Sequence, residues 1–104
     1  MIPAEFLSEV KGYLGITWED ADTDKKVQGY IARGAARLEQ RAGGSLNFSE
    51  ESLAKALLLD YCRYANAQAL EVFEKNFEAE LLEMNLREAV KALENQGPNG
   101  ISGV

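Results

Sequence analysis

Histidine is missing from this chain of 104 residues, and cysteine occurs once. Without histidine there is no Ser-His or Cys-His pair to activate a nucleophile, and no imidazole to ligate a metal. A single cysteine forms no intramolecular disulfide, which points to a reducing compartment such as a cytoplasm. Cys62 falls in the most apolar stretch of the chain, so it reads as a buried, inert thiol. No hydrophobic run is long enough to cross a bilayer; the segment from Ala56 to Leu59 is four residues. The opening MIPAEFLSEVKG carries Glu5 and no basic region, so it does not read as a signal peptide. Gly43-Gly44 lacks the Lys-Ser or Lys-Thr that completes a phosphate-binding loop. Positive charge is scarce as well. Eleven bases against seventeen acids leave a net charge of −6, the wrong sign for non-specific attraction to nucleic acid.

What is present is an ordinary globular composition, 46% hydrophobic and 27% charged, at a length that suits one domain. A chain of this size buries roughly 65% of its unfolded surface, enough for one modest core. Apolar residues recur at helical spacing, and no hairpin signal or internal repeat interrupts them. The pattern predicts an all-α fold of about four helices, roughly 3–14, 23–42, 49–75 and 78–93. Domain organisation follows: one helical domain over 1–94 and a flexible tail over 95–104.

Pro3 suits a first helical turn, and Phe6, Leu7, Val10, Tyr13 and Leu14 follow at spacings of three and four. Gly15 ends that helix. The acidic connection TWEDADTD leads into the second helix, with Asp22 or Thr23 as its cap. Its apolar stripe is Val27, Tyr30, Ile31, Ala35 and Leu38. Gly29 and Gly34 sit within it and allow close approach of another helix; Gly43-Gly44 stops it. Ser49 is the expected cap of the third helix. That helix is apolar on every side from Leu53 to Cys62, as befits the central helix of a domain. A break is expected near Asn76. The last helix carries Leu81, Leu82, Leu86, Ala89, Val90 and Leu93. The tail NQGPNGISGV has two apolar handles, Ile101 and Val104, able to order against a partner.

Two candidate sites dissolve on inspection. Asp20, Asp22 and Asp24 match the first, third and fifth positions of a calcium loop, but the sixth is Lys25 rather than Gly and the twelfth is Ile31 rather than Glu. Helix capping accounts for these acids. Glu71, Glu74, Glu78 and Glu80 read as solvated carboxylates, not as an acid–base pair with separated pKa values. The expectation is no enzyme, no metal and no cofactor.

Charge is unevenly spread. Residues 24–42 hold five bases against two acids, and residues 71–94 hold seven acids against three bases. Segments of opposite sign pair either within a chain or between copies. The candidate subunit or partner contacts are therefore Arg33, Arg37 and Arg41 on the second helix, Phe73, Phe77, Glu80 and Glu83 further on, and Ile101 and Val104 in the tail. Leu57, Leu58, Tyr61 and Cys62 are assigned to the core, and core packing also claims Phe73. Leu46, Phe48, Phe77, Met84 and the apolar positions of the last helix compete for what interior remains.

Taken in order, FLSEVKGYLGI, WEDADTD, KKVQGYIARGAARLEQRAGG, LNF, LLLDYCRYANAQALEVFEKNF and ELLEMNLREAVKAL resemble the small helical head–tail connector (adaptor, head-completion) proteins of tailed bacteriophages and prophages. The resemblance covers about residues 4–93 and is most specific over the DYCRY…FEKNF stretch. It implies a structural protein. Copies form a homo-oligomeric ring, around a twelve-fold axis in the family, below the portal protein. A downstream connector or stopper protein docks beneath. DNA passes through the channel without sequence-specific binding, and no membrane is involved. The implied location is the virion, after assembly in the host bacterial cytoplasm; an isolated subunit can remain a monomer until its partner templates it. Two other readings compete. A helix-turn-helix regulator needs a basic recognition helix, for which only the second helix qualifies. The other is a general helical protein-interaction module.

Overall fold

Asp20 opens the longest well-packed helix. Its backbone is extended (φ −159°, ψ 122°), and its carboxylate accepts from the Thr23 N–H at 3.0 Å and the Thr23 hydroxyl at 2.7 Å. Asp20 is therefore the cap, ahead of the expected Asp22 or Thr23. Asp22 lies inside the first turn, where its charge favours the helix dipole. In the computed structural model, which describes residues 2–102 and side chains as far as Glu94, five helices follow one another. They are α1 (Phe6–Leu14), α2 (Ala21–Ala42), α3 (Leu53–Asn66), α4 (Leu70–Asn76) and α5 (Glu78–Ser102). The all-α class is as the sequence predicts, and no strand occurs among the described residues. Gly15 and Gly43 close α1 and α2 in the left-handed region, at φ 76° and 84°.

The link between α2 and α3 is anchored rather than slack. Leu46 and Phe48 are buried, and the Leu46 N–H donates to the Glu39 carboxylate at 2.9 Å. Asn47 turns the chain by accepting from the Ser49 N–H at 2.9 Å. Phe48 is held in the core and residues 49–52 stay outside the helix, so α3 does not begin at Ser49. Ser52 caps α3 instead, accepting from the Lys55 N–H at 3.2 Å.

The largest departure from the expected layout lies within 49–75. The single helix predicted there is two, parted at Ala67–Ala69. Gln68 takes φ 58°, and the Ala69 N–H closes the turn on the Tyr64 carbonyl at 2.9 Å. A left-handed non-glycine residue costs about 1–2 kcal/mol. What it permits is the return of Phe73 over Tyr61 and Tyr64, with ring centroids 5.5 and 5.8 Å apart. In an unbroken helix residues 61 and 73 are about 18 Å apart. Burying Phe73 is worth about 1.5–3 kcal/mol before the edge-to-face contacts are added, so the break is favoured. The second break, near Asn76, falls as expected: α4 ends there, and the Phe77 carbonyl accepts the Leu81 N–H at 2.8 Å.

α3 packs against every other helix, the central position its all-round apolar surface predicts. Its closest neighbour is α2, and Gly34 explains why. A Cβ at Gly34 would lie 2.6 Å from Tyr61 Cδ1 and 2.7 Å from Leu58 Cδ1. Gly29 plays no such part; its nearest neighbour is the Arg33 guanidinium. The core gathers Phe6 and Val10 from α1, the α2 stripe, Leu57, Leu58, Tyr61 and Cys62 from α3, Phe73 from α4, and Leu81 and Met84 from α5.

Two buried lysines pin α1 to this core. Lys11 meets Asp24 at 2.7 Å, joining α1 to α2. Lys55 meets Glu51 at 2.7 Å and Glu9 at 2.9 Å, joining α3 to α1. Asp24 holds the Lys11 ammonium above its ordinary pKa, and Glu51 and Glu9 do the same for Lys55.

The tail predicted from residue 95 continues in backbone as part of α5 to Ser102. Its side chains, including the Ile101 handle, lie outside the described residues, and so does Val104.

Candidate interaction face on the last helix

Four aromatic rings gather where α3, α4 and α5 meet. Phe73 stacks on Phe77 at 5.2 Å, and Tyr64 stands edge-on to Phe77 at 5.6 Å. Phe73 is 1% exposed, so this candidate contact residue is a core residue within the chain. Phe77 is half-buried against the same cluster. Cys62 of α3 is fully buried, and burial pushes its thiol pKa up to about 12, which leaves it protonated and unreactive at neutral pH.

The basic residues of α2 divide. Arg37 grips Glu74 of α4 with two bonds, 2.7 and 2.9 Å, and Arg41 reaches the same carboxylate at 2.9 Å. The opposite charges therefore meet, in part, inside one chain, and the acid they meet is Glu74 rather than Glu80 or Glu83. Arg33 instead lies exposed, 5.8 Å from the centroid of the Tyr30 ring. Glu83 pairs along α5 with Arg87, and Glu80 is half-buried on the same helix. The seven described candidates thus do not form one surface, and the Ile101 side chain and Val104 lie outside the described residues.

A coherent surface exists elsewhere, on α5. Leu81 and Met84 face the core, 1% and 2% exposed. Leu82, Leu86, Val90 and Leu93 are 56%, 56%, 51% and 67% exposed. At about 100° per residue these four fall within an arc of about 80°, roughly 160° from the Leu81–Met84 line. The helix thus has two apolar faces on nearly opposite sides, and only one is packed. Ala89 lies in the second face and is exposed. Along one edge run Glu83, Arg87, Lys91 and Glu94, which rim a shallow hollow floored by Leu86 and Val90. Leu70 and Val72 of α4 are also partly exposed.

Sequence reasoning named these α5 positions as competitors for a limited interior, with some of them left to meet another subunit, but not which; of Leu81, Leu82, Leu86, Ala89, Val90 and Leu93 only Leu81 is buried. The signal was present: Leu81 and Leu82 are adjacent, and one helix face cannot bury both. Chemically, the α5 face offers apolar contact with a charged rim and nothing reactive. Among the described residues no three His, Cys, Asp or Glu side chains come together as a metal site, and no helix is long and apolar enough to cross a membrane. Set against known proteins, the chain matches no family model, no curated protein and no solved structure.

Proposed function

We propose that this chain is a structural subunit of a phage or prophage head–tail connector, assembling as a ring below a portal protein and passing DNA without reading it. One observation carries the reading: a fully formed helical core that still leaves four large apolar side chains of α5 in water. Isolated exposed leucines need no explanation, but a contiguous stripe with a charged rim fits a protein-contact face. The order of helices and linkers, and the DYCRY…FEKNF stretch that forms the aromatic cluster, support the connector class in particular. The net charge of −6 suits a channel component that must not hold phosphate. The virion is then the site of action, with the portal above and a stopper protein below. The helix-turn-helix alternative draws less support, because Arg37 and Arg41 spend their charge on Glu74.

The test is the mass of the purified protein in solution, alone and mixed with the portal protein encoded beside it. A ring formed on the portal is the expected result. No association with the portal at any ratio overturns the connector reading.

A further inference from the structure

Among the described residues three take a left-handed backbone at a helix end, and only two of them are glycine. α1 and α2 stop at Gly15 and Gly43, whereas α3 stops at Gln68, with φ 58°. The Gln68 N–H donates to the Ala65 carbonyl at 3.0 Å, and the Ala69 N–H donates to the Tyr64 carbonyl at 2.9 Å. These are the paired bonds of a glycine helix stop, made without the glycine that removes its strain. The local sequence favours the opposite conformation. Ala67, Gln68, Ala69, Leu70 and Glu71 are all good helix formers, and no glycine or proline occurs from Ser45 to Gln96. Ala67 and Gln68 are exposed, so no buried side chain of theirs holds the joint bent. What holds it lies further along: Phe73 on Tyr61 and Tyr64, Glu74 between Arg37 and Arg41, and Leu81 and Met84 in the core.

None of those contacts requires both sides to belong to one chain. We infer that two copies exchange α4 and α5, each copy running straight from α3 into α4 as one helix. The inference goes beyond the connector reading and stands without it. In a straight helix Leu58, Cys62, Ala65, Ala69, Val72 and Phe73 fall within an arc of about 100°, so Phe73 stays on the face that α3 buries. Phe73 lies five residues beyond Gln68, and Tyr61 and Tyr64 lie seven and four before it. Two straight helices that cross about a two-fold axis at Gln68 therefore bring Phe73 of each copy to Tyr61 and Tyr64 of the other. The clasp of Arg37 and Arg41 on Glu74, and the seats of Leu81 and Met84, re-form across copies in the same way. The exposed face of α5 takes no part.

Each half of the exchanged dimer repeats the core of the single chain. The balance between the two states then rests on the joint and on concentration. Straightening removes one left-handed glutamine per copy and closes the helical hydrogen bonds that the turn interrupts. Against this stands the freedom lost when two copies associate. Exchange of identical elements about a strained joint is a low-cost route to a dimer.

The test refolds the full chain from denaturant at about 1 and about 500 μM and measures its mass by size-exclusion chromatography with light scattering. The expected masses are 11.5 kDa at the low concentration and twice that at the high one. The two species should separate and persist, because return requires Phe73, Leu81 and Met84 to leave the core. Gln68→Gly relaxes the bent joint and weakens the straight helix, so it should lower the association constant at least about tenfold. Gln68→Val, whose branched side chain resists a left-handed backbone, should raise it about tenfold. Gln68 is exposed, so both variants should keep the helical circular dichroism of the wild type. Spin labels at the exposed positions Ala56→Cys and Lys75→Cys read the exchange itself, with buried Cys62 left unlabelled. Doubly labelled chains are diluted into unlabelled chain before refolding, so that only distances within one chain are seen. That distance should be about 28 Å in the dimer, the rise of unbroken helix from 56 to 75, and shorter in the single chain. A wild type that stays monomeric after refolding at about 500 μM overturns the inference. So does a dimer indifferent to both Gln68 variants, or one whose labels keep the single-chain distance. A chain that never exchanges yet binds portal protein removes this inference and leaves the connector reading; an exchanging chain with no affinity for portal protein does the reverse.

Discussion

Leu81 and Leu82 are neighbours of the same type on one helix, and they live in different solvents. Leu81 is 1% exposed, under α3 and α2; Leu82 is 56% exposed. The same split runs on between Met84, at 2%, and Leu86, at 56%. The two faces of α5 are similar in composition, so hydrophobicity alone does not decide which one is core. What decides is the neighbour. The packed face meets the α2 and α3 surfaces, which approach closely because Gly34 lets Leu58 and Tyr61 in. No described residue buries Leu82, Leu86, Val90 or Leu93 on the other face. An apolar residue on a helix therefore states a need for a partner, and the fold shows which needs the chain meets itself.

The largest expected effect breaks this comparison directly. Leu81→Ala should cost about 2–5 kcal/mol of unfolding free energy, the lost transfer energy plus the cavity left behind. Leu82→Ala should fall within about 0.5 kcal/mol, because it removes surface already in water. Denaturant melts at about 1 μM keep self-association out of the measurement. Similar losses for the two variants would mean the α5 faces are not distinct in the single chain.

A smaller effect sharpens the packed side. Gly34→Ala places a methyl 2.6 Å from the Tyr61 ring and 2.7 Å from Leu58, both buried and hemmed in. Overpacking costs about 1–3 kcal/mol, and alanine returns at most about 1 through helix propensity. The net expectation is a loss of about 1 kcal/mol. Gly29→Ala meets only the mobile end of Arg33, at 3.1 Å, and should be neutral or stabilising by up to about 1 kcal/mol. Thermal melts of the two variants moving in the same direction would show that α2 and α3 have slack at Gly34.

How much of this was legible in the sequence depends on whether the determining interaction is local. The α1 and α2 stops were readable because Gly15 and Gly43 take a left-handed backbone that few other residues tolerate. The central place of α3 was readable from its all-round apolar surface, and the close-approach role of Gly34 from its place inside the α2 pattern. The turn at Ala67–Ala69 was not readable. Gln68 is a poor advertisement for a left-handed residue, and the turn forms because Phe73 gains a buried seat five residues later. The shift of the α3 cap from Ser49 to Ser52 has the same origin, in the burial of Phe48. The candidate contact residues were chosen by charge and ring size. Tertiary packing moved Phe73 inside and turned Arg37 and Arg41 onto Glu74, and it also decided which apolar positions of α5 stay unburied, a choice the sequence left open.

The smallest expected effect concerns the clasp that holds α4 against α2. Glu74 receives Arg37 through two bonds and Arg41 through one, but all three side chains are more than a third exposed. Solvent screens such pairs, so Glu74→Gln should cost only about 0.5–1 kcal/mol even though it weakens two ion pairs at once. A double-mutant cycle between Arg37→Ala and Glu74→Ala isolates the pair from the packing of the arginine stem. The coupling should appear at low ionic strength and shrink in about 1 M salt, where screening acts within about 3 Å. Unlike Leu81, which is held by burial that salt does not weaken, this contact should fade as salt rises. A coupling that persists in high salt would mean that α4 is fixed to α2 by the geometry of the two-bond clasp, and that the charge on Glu74 adds little to it.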